Sequence, residues 1–420
     1  MAESLSRNIL IFTRYPRPGR AKTRLIPALG EAGAADLQRR MTEFTVGQAR
    51  NTGARVEVRY TDGDAASMQS WLGDGLVYVG QGEGSLGERL ARGFDQRFAA
   101  GARRVVAVGC DCPDNRTGNM LACFEALEQS EWAIGPAVDG GYYMLGLTRP
   151  APELFSNIDW GGEQVLGQTL AAADSPPFFL PELRDVDRAD DMPSGISVVV
   201  PALNEVGAIG DSLDSVNQGF NVECIVVDGG SADDTVRQAA AHGAKVLRSA
   251  PGRARQMNLG AAAAAEPLLL FLHADTVLPE NWDRTVRQAL REEKIALGAF
   301  RLRVRERMPG IAWIERGANI RSRIFRRPYG DQGLFMRLAD FRRVGGYPEL
   351  PIMEDVELVR RLRKGGRIAT ASDCVTTSGR RWRRLGVARA TLCNQAVVLG
   401  YRLGVAPDRL AWLYRGSVRQ

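Results

Sequence analysis

The 420 residues contain no run of about 18 uninterrupted apolar side chains, so no membrane-spanning helix is expected. Met1 to Arg7 lacks a signal-peptide pattern and leads straight into a strand-like stretch, Asn8–Phe12, so a cytoplasmic location is expected. Six cysteines are too few for a disulfide framework in so long a chain, and no CxxC pairing exists to hold a metal. Cys110-Asp-Cys112 comes nearest, and all six are expected to be reduced thiols. A GxxxxGK[ST] loop is also missing, which excludes a Walker-type phosphate loop. Aromatic residues are not interleaved with the arginines, so nucleic acid is not an expected partner.

What is present points elsewhere. The length favours two or three domains, and 45% hydrophobic content is enough for sizeable cores. The net charge of +6 is uneven: residues 1–191 hold 20 basic and 26 acidic side chains, residues 192–420 hold 35 and 23. A basic second half suits an anionic ligand such as a nucleotide diphosphate, or an acidic membrane surface.

The first half, 1–190, reads as alternating strands and helices. Its first strand runs into Thr13-Arg-Tyr-Pro-Arg-Pro-Gly-Arg-Ala-Lys-Thr-Arg24. There Gly19 lets backbone approach a ligand, while Arg20, Lys22 and Arg24 bring charge for phosphate. Arg55–Tyr60 alternates as a strand does. Arg104 to Pro113 is a buried strand with Asp111 at its carboxyl end, and Asp139 precedes two glycines suited to a tight turn. Prolines 176, 177, 181 and 193 break any helix in an acidic linker, placing a boundary near 190–194.

The second half, 195–420, restarts the pattern, and the alternation implies a doubly wound parallel sheet. Strand ends present Asn204 and Glu205, then Asp228, then His273-Ala-Asp275. Right-handed crossovers put these loops on one edge, where open α/β sheets bind ligands. Asp275 by itself could merely cap a turn; the convergence of three polar strand ends argues for a site. Asp228 is placed to meet a base or ribose, Asp233 opens the next helix, and Arg253 and Arg255 at a helix start suit a diphosphate. The tail Leu392–Leu413, Ala312-Trp313-Ile314 and the Arg321–Arg327 cluster look amphipathic. Packing on the core, an oligomer contact and a membrane-surface helix all remain open for them.

The first half resembles a nucleotidyltransferase-like family of glycosyltransferase-A fold, related to cofactor guanylyltransferases. The resemblance rests on Pro16–Leu25, Gly109-Cys-Asp-Cys-Pro113, Pro136–Tyr143 and Asp159-Trp160. It implies that Lys22 and Arg24 hold phosphate, that Asp111 holds a metal, and that Asp139 lies beside the cleft. The second half resembles family-2 glycosyltransferases through Val200-Pro-Ala-Leu-Asn-Glu205, Val227–Thr235, His273-Ala-Asp275 and Met353-Glu-Asp-Val356. Gly252–Asn258, Gly330–Gly333 and Thr376–Trp382 are similar to a radical-SAM/selenodomain-associated subgroup linked to arsenosugar biosynthesis. The chain thus looks like a fusion of two tandem α/β, Rossmann-like, mostly parallel glycosyltransferase-A-type domains, 1–190 and 195–420.

The resemblance implies a metal-dependent, inverting transfer of a sugar from a nucleotide-diphosphate sugar to a small-molecule or lipid acceptor. Asp275 and His273 would hold Mg²⁺ or Mn²⁺, the usual Asp-x-Asp being His-Ala-Asp here. Asp355 would be the base, with Glu354 beside it. Pro201, Asn204, Glu205, Asp228, Asp233, Arg253, Arg255, Arg381 and Trp382 would bind the donor, Trp382 offering a stacking face. Asp331 and Gln332 would meet the acceptor. The alternative is a bifunctional nucleotidyltransferase whose first half makes the activated sugar and whose second half only recognises it. A nucleotide-sensing scaffold is the non-catalytic option.

Overall fold

The structure, a computed structural model, describes residues 6–419, with side chains to Tyr414. The reading of the leader rests mostly on residues outside that range. Two compact units divide at Met192/Pro193. In the first, β1 (Arg7–Arg14), β2 (Arg55–Thr61), β3 (Val77–Gly80), β4 (Arg104–Gly109), β5 (Trp132–Pro136), β6 (Tyr142–Leu147) and β7 (Phe178–Phe179) form one sheet. Its order is β3-β2-β1-β4-β6-β5-β7, with β6 antiparallel to β4 and β5.

The second unit repeats the wiring. Its strands are β8 (Ile196–Ala202), β9 (Val222–Asp228), β10 (Lys245–Arg248), β11 (Leu268–Phe271), β12 (Thr276–Val277), β13 (Ile295–Val304), β14 (Leu334–Arg337) and β15 (Arg367–Thr377). They run β10-β9-β8-β11-β14-β13-β15-β12. In each unit three parallel strands order backwards to the first, the fourth joins its other side, and an antiparallel strand follows. The expected α/β class of two tandem Rossmann-like units is therefore what the chain forms. Among the described residues no helix is long and apolar enough to cross a membrane.

The apolar runs become central strands because both of their faces are covered. Val198, Val200 and Leu270 pack with Leu213 and Trp282 on one face. Val199, Leu269 and Phe271 pack with Met257 and Phe341 on the other. Each such buried aliphatic side chain is worth about 1.5–3 kcal/mol over an exposed one. The alternation of β2 departs from expectation: Glu57 and Arg59 point inward and pair at 2.6 Å. Arg59 also donates to Gln96 on α2 (Leu86–Ala99), preceded in the chain by the long α1 (Ile26–Arg50).

The expected linker is likewise only partly a linker. β7 pairs with β5, Ala137 bridges Leu183, and the Val186 amide donates to the Asp111 carbonyl. These bonds draw Asp185 and Asp187 back over the first sheet's carboxyl edge.

Candidate active site

In the second unit the Leu272 amide still donates to Val199, and the chain then leaves the sheet. A bond from the Thr276 amide to the His273 carbonyl closes a turn, and β12 pairs with β15. The Ser378 amide donates to the Asp275 carbonyl, so the chain entering α5 (Arg380–Leu385) lies beside Asp275. From there Arg380 reaches Asp275 Oδ2 at 2.9 Å and Glu205 Oε2 at 2.7 Å. One guanidinium therefore gathers carboxylates from the ends of β8 and β11. Burial pushes the Glu205 carboxyl up, Arg380 pulls it down, and the charges of Asp275 and Asp233 push it up again.

The β8 and β9 loops are stitched together. Asn204, at φ 54°, accepts from the Ala232 amide, and Ser231 Oγ accepts from the Asn204 amide. Asp233 accepts from the Val206 amide and from Thr235, and the Thr235 hydroxyl bond holds its carboxyl below the ordinary range.

A second group of residues comes from later in the chain. Arg253 begins α3 (Arg253–Ala262), and Glu354 and Asp355 begin α4 (Glu354–Leu362). Glu354 is buried and lies 3.6 Å from Arg253, whose side chain is nonetheless 58% exposed and open to an anion. Burial and the Asp355 charge raise the Glu354 carboxyl. Asp355 accepts from the Gly330 amide at 2.7 Å and the Val356 amide at 2.8 Å. A Cβ built on Gly330 would lie 3.3 Å from His273 Nε2 and 3.4 Å from Asp355 Oδ2. The missing side chain therefore lets the Gly330 backbone lie close to both.

Burial and the Arg253 charge lower the His273 imidazole to about 4, against the pull of Asp275 and Asp355. It is neutral at pH 7 and keeps a nitrogen lone pair. Because the unfolded chain would protonate near 6.5, His273 adds stability that is complete above that pH. This stability fades as pH falls through 6.5 towards 4. On this basis the native protein should lose on the order of 2 kcal/mol more than a His273→Asn variant between pH 7 and pH 5. Urea unfolding of both proteins at the two pH values measures this, and equal losses would show that His273 does not carry the effect.

In the first unit, Asp111 follows β4 as Asp275 follows β11. Lys22 (φ 46°) is only 7% exposed and meets Asp111 at 2.9 Å and the Val186 carbonyl at 2.7 Å. Arg24, 72% exposed, pairs with Asp187 at 2.5 Å. Asp139, Asp185 and Asp187 bring carboxylate oxygens within 4.8 Å of one another. Burial first, and the Asp139 charge second, raise the Asp185 carboxyl. They line a cavity of ≈ 460 Å³ with Tyr142 and Trp160, and an adjoining cavity of ≈ 530 Å³ carries Arg14, Arg20, Arg24 and Arg89. Gly140 (φ 88°) makes the expected tight turn: a Cβ there would lie 2.1 Å from the Glu163 carbonyl oxygen.

Residues 197–338 match the family model of glycosyl transferase family 2. The second unit carries a family 2 glycosyltransferase domain. Residues 45–162 match a family described as an uncharacterized protein conserved in bacteria (DUF2064). Glucosyl-3-phosphoglycerate synthase of Mycobacterium tuberculosis is 35% identical over 96 residues, covering 20% of this chain and 30% of that protein. An uncharacterized glycosyltransferase of Mycobacterium bovis is 36% identical over 81 residues, covering 19% and 36%. The chain thus spans about a third of the length of these curated relatives. A Desulfovibrio desulfuricans crystal structure, provisionally classed as a nucleotide-diphospho-sugar transferase, is 33% identical. It covers 44% of this chain and 83% of that one, with a TM-score of 0.42.

Within the glycosyltransferase unit the sequence expectations fare unevenly. Glu205, His273, Asp275, Arg253, Glu354 and Asp355 stand in the arrangement just described. Arg255 turns towards Glu349 at 3.6 Å, and Pro201 lies in β8. Asp331 keeps a buried Oδ1 with no hydrogen-bond partner among the described residues, and burial raises its carboxyl. Gln332 is corrected: fully buried, its amide accepts from Ser322 and Arg321 and donates to the Phe300 carbonyl, so none is left for an acceptor. Trp382 is corrected too, because its ring packs with Val304, Ile311 and Ala390 and offers no stacking face. Arg381 stacks on Tyr414 at 3.6 Å, and the neighbouring Arg380 holds the carboxylates. Asp228 is buried and accepts from the Gly230 and Ser231 amides, which makes it a brace for its own loop. In the first unit Lys22, expected at phosphate, is a buried staple for Asp111 and the Val186 carbonyl. Asp185 and Asp187 were missed; the one available signal was their Asp-x-Asp spacing within an acidic stretch.

Proposed function

We propose that the glycosyltransferase unit moves a sugar, with inversion, from a nucleotide-diphosphate sugar to a hydroxyl of a small-molecule or lipid acceptor. The observation that carries this is the meeting of His273 and Asp355 at Gly330, with Asp275 two residues from His273. Asp355 takes the proton from the acceptor hydroxyl. The acceptor oxygen then forms its bond to the anomeric carbon as the bond from that carbon to the diphosphate oxygen breaks. Arg253, open to solvent, meets the departing diphosphate. The orphaned oxygen of Asp331 suits a second acceptor hydroxyl, and Glu354 fixes Arg253.

A divalent cation at this edge would be held by Asp275 and Glu205, whose carboxylates meet on one cation already, the Arg380 guanidinium. His273 does not complete the group: its Nε2 faces Gly330 beside Asp355, and the described residues that bring three ligand atoms within 4.8 Å of one another are Asp139, Asp185 and Asp187 of the first unit. Carboxylate oxygens of this kind suit Mn²⁺ and Mg²⁺ alike. When bound, such an ion would supply Lewis-acid neutralisation of the leaving diphosphate.

For the first unit, the basic cavity beside three carboxylates favours binding of a phosphorylated ligand, consistent with nucleotide handling. Thermal-shift measurements on the full chain with a panel of UDP-, GDP- and ADP-sugars and Mn²⁺ test both readings. At a hundredfold excess over Kd the matching donor should stabilise by about 2.7 kcal/mol. Asp275→Asn should remove the Mn²⁺-dependent part of the shift, whereas Arg24→Ala should leave it untouched. If no nucleotide sugar shifts the native protein, or if Asp275→Asn shifts equally, the transfer reading fails.

A further inference from the structure

Two exposed apolar stripes lie on neighbouring helices of the second unit. On α5's successor, α6 (Val387–Arg402), and the residue just past it, Leu392, Ala396, Leu399 and Leu403 recur at helical spacing and all face solvent, Leu403 at 75%. The earlier helix Ile311–Arg323 and its extension show the same intervals with Trp313 (72% exposed), Gly317, Ile320 and Ile324. The two helices share a small core of Ile311, Trp382 and Ala390. Gly310 approaches Val387 at their starts. At their ends Arg402 acts electrostatically on Tyr329, whose ring stacks under Arg321. They therefore pack against one another at their starts, and both stripes are open. On the last helix, α7 (Pro407–Arg419), Trp412 is 74% exposed.

A monomer rarely leaves so many large apolar side chains uncovered on adjoining helices. Charge identifies what covers it. Residues 311–327 and 380–414 hold 12 arginines against two acids, Glu315 and Asp408. Arg316, Arg323, Arg389 and Arg402 are interleaved with or flank the stripes, and Arg316 stacks on Trp313 at 5.3 Å. A second copy on this face would set arginine against arginine, a repulsive pairing. A bilayer with anionic headgroups satisfies both features, since apolar side chains enter the acyl boundary while arginines meet phosphate.

We propose that this face docks the protein on an anionic lipid bilayer. The last helix also borders the reaction site: Tyr414 stacks with Arg381 and feels the charges of Arg253 and Asp331. Docking thus sets the acceptor side near headgroup level. The proposal does not depend on sugar transfer, and its test uses neither donor nor acceptor.

The test is co-sedimentation of the full chain with phosphatidylcholine vesicles, with and without phosphatidylglycerol, at low and high salt. Binding is expected only with phosphatidylglycerol, weakening at high salt. A Leu392→Ser/Leu399→Ser/Leu403→Ser variant should bind about tenfold less or weaker still, with unchanged circular dichroism. Arg316→Ser/Arg389→Ser, which leaves the stripes intact, should also bind less and keeps the test valid if the leucine variant misfolds. Three results would overturn the proposal. The first is no binding to either vesicle. The second is equal binding to both vesicles, or binding indifferent to both variants. The third is a vesicle-free homodimer, seen by analytical ultracentrifugation, that the leucine variant dissociates.

Discussion

Asp355→Asn should lower kcat for sugar transfer by about a thousandfold while leaving the nucleotide Kd within a few-fold of native, since general-base contributions run to about 10²–10⁴. The geometry explains the size of the effect. Asp355 is fixed by the Gly330 and Val356 amides, so its carboxylate is already oriented and little reorganisation is needed to accept a proton. Asparagine keeps the shape and one acceptor oxygen but cannot take the proton. Glu354→Gln should cost far less. That residue is buried against Arg253, and its carboxyl is already raised by burial and by Asp355, so a neutral amide is a close substitute. Initial rates for transfer, with calorimetric titration of the nucleotide, separate the two variants. A kcat within tenfold of native for Asp355→Asn, or a greater loss in Glu354→Gln, would assign the base wrongly.

A side chain at Gly330 should be the next most damaging change. No positive φ restricts that glycine, so its backbone admits a side chain, and the cost falls on the space in front of it. At 3.3 and 3.4 Å from His273 Nε2 and Asp355 Oδ2, a Cβ is tighter than ordinary contact and displaces both groups by a few tenths of an ångström. Gly330→Ala should therefore reduce kcat by about tenfold and Gly330→Val by about a hundredfold, because displacements approaching 1 Å at reacting groups cost about that much. Melting temperature should move by only a few degrees, since the atoms displaced belong to side chains and not to backbone. A Gly330→Val enzyme with native kcat would mean that the acceptor reacts elsewhere.

Much of this arrangement could be read in advance, for a physical reason. A strand covered on both faces must be apolar at every position, so Leu268–Phe271 and Ile196–Val200 announce themselves without reference to anything distant. The wiring follows from the alternation of such runs with helices, and the wiring fixes which edge collects the strand ends. His273 and Asp275 could be named because they sit where such a run stops, whereas Glu354 and Asp355 could be named only through the resemblance of Met353-Glu-Asp-Val356 to family-2 glycosyltransferases. The repeat of that wiring in both units explains why Asp111 and Asp275 occupy equivalent positions.

What could not be read is how the polar groups divide themselves among one another. Arg380 meets Glu205 across 175 positions, and Lys22 meets the Val186 carbonyl across 164. Arg380 and Arg381 are equivalent in sequence, yet the helical rotation between them sends one to the carboxylates and the other to Tyr414. Gln332, Trp382 and Asp228 carry the chemistry expected of ligand contacts, and the fold uses them instead as an internal brace, a core residue and a turn. Asp185 and Asp187 became site residues only because backbone hydrogen bonds carried an apparent linker back across the sheet. The sequence by itself determined the strands, their edge and the carboxylates at it, because burial of apolar runs is a local pattern. The tertiary structure alone decided which of those charges remain open to a ligand, because pairing depends on distances that the chain sets only once it is folded.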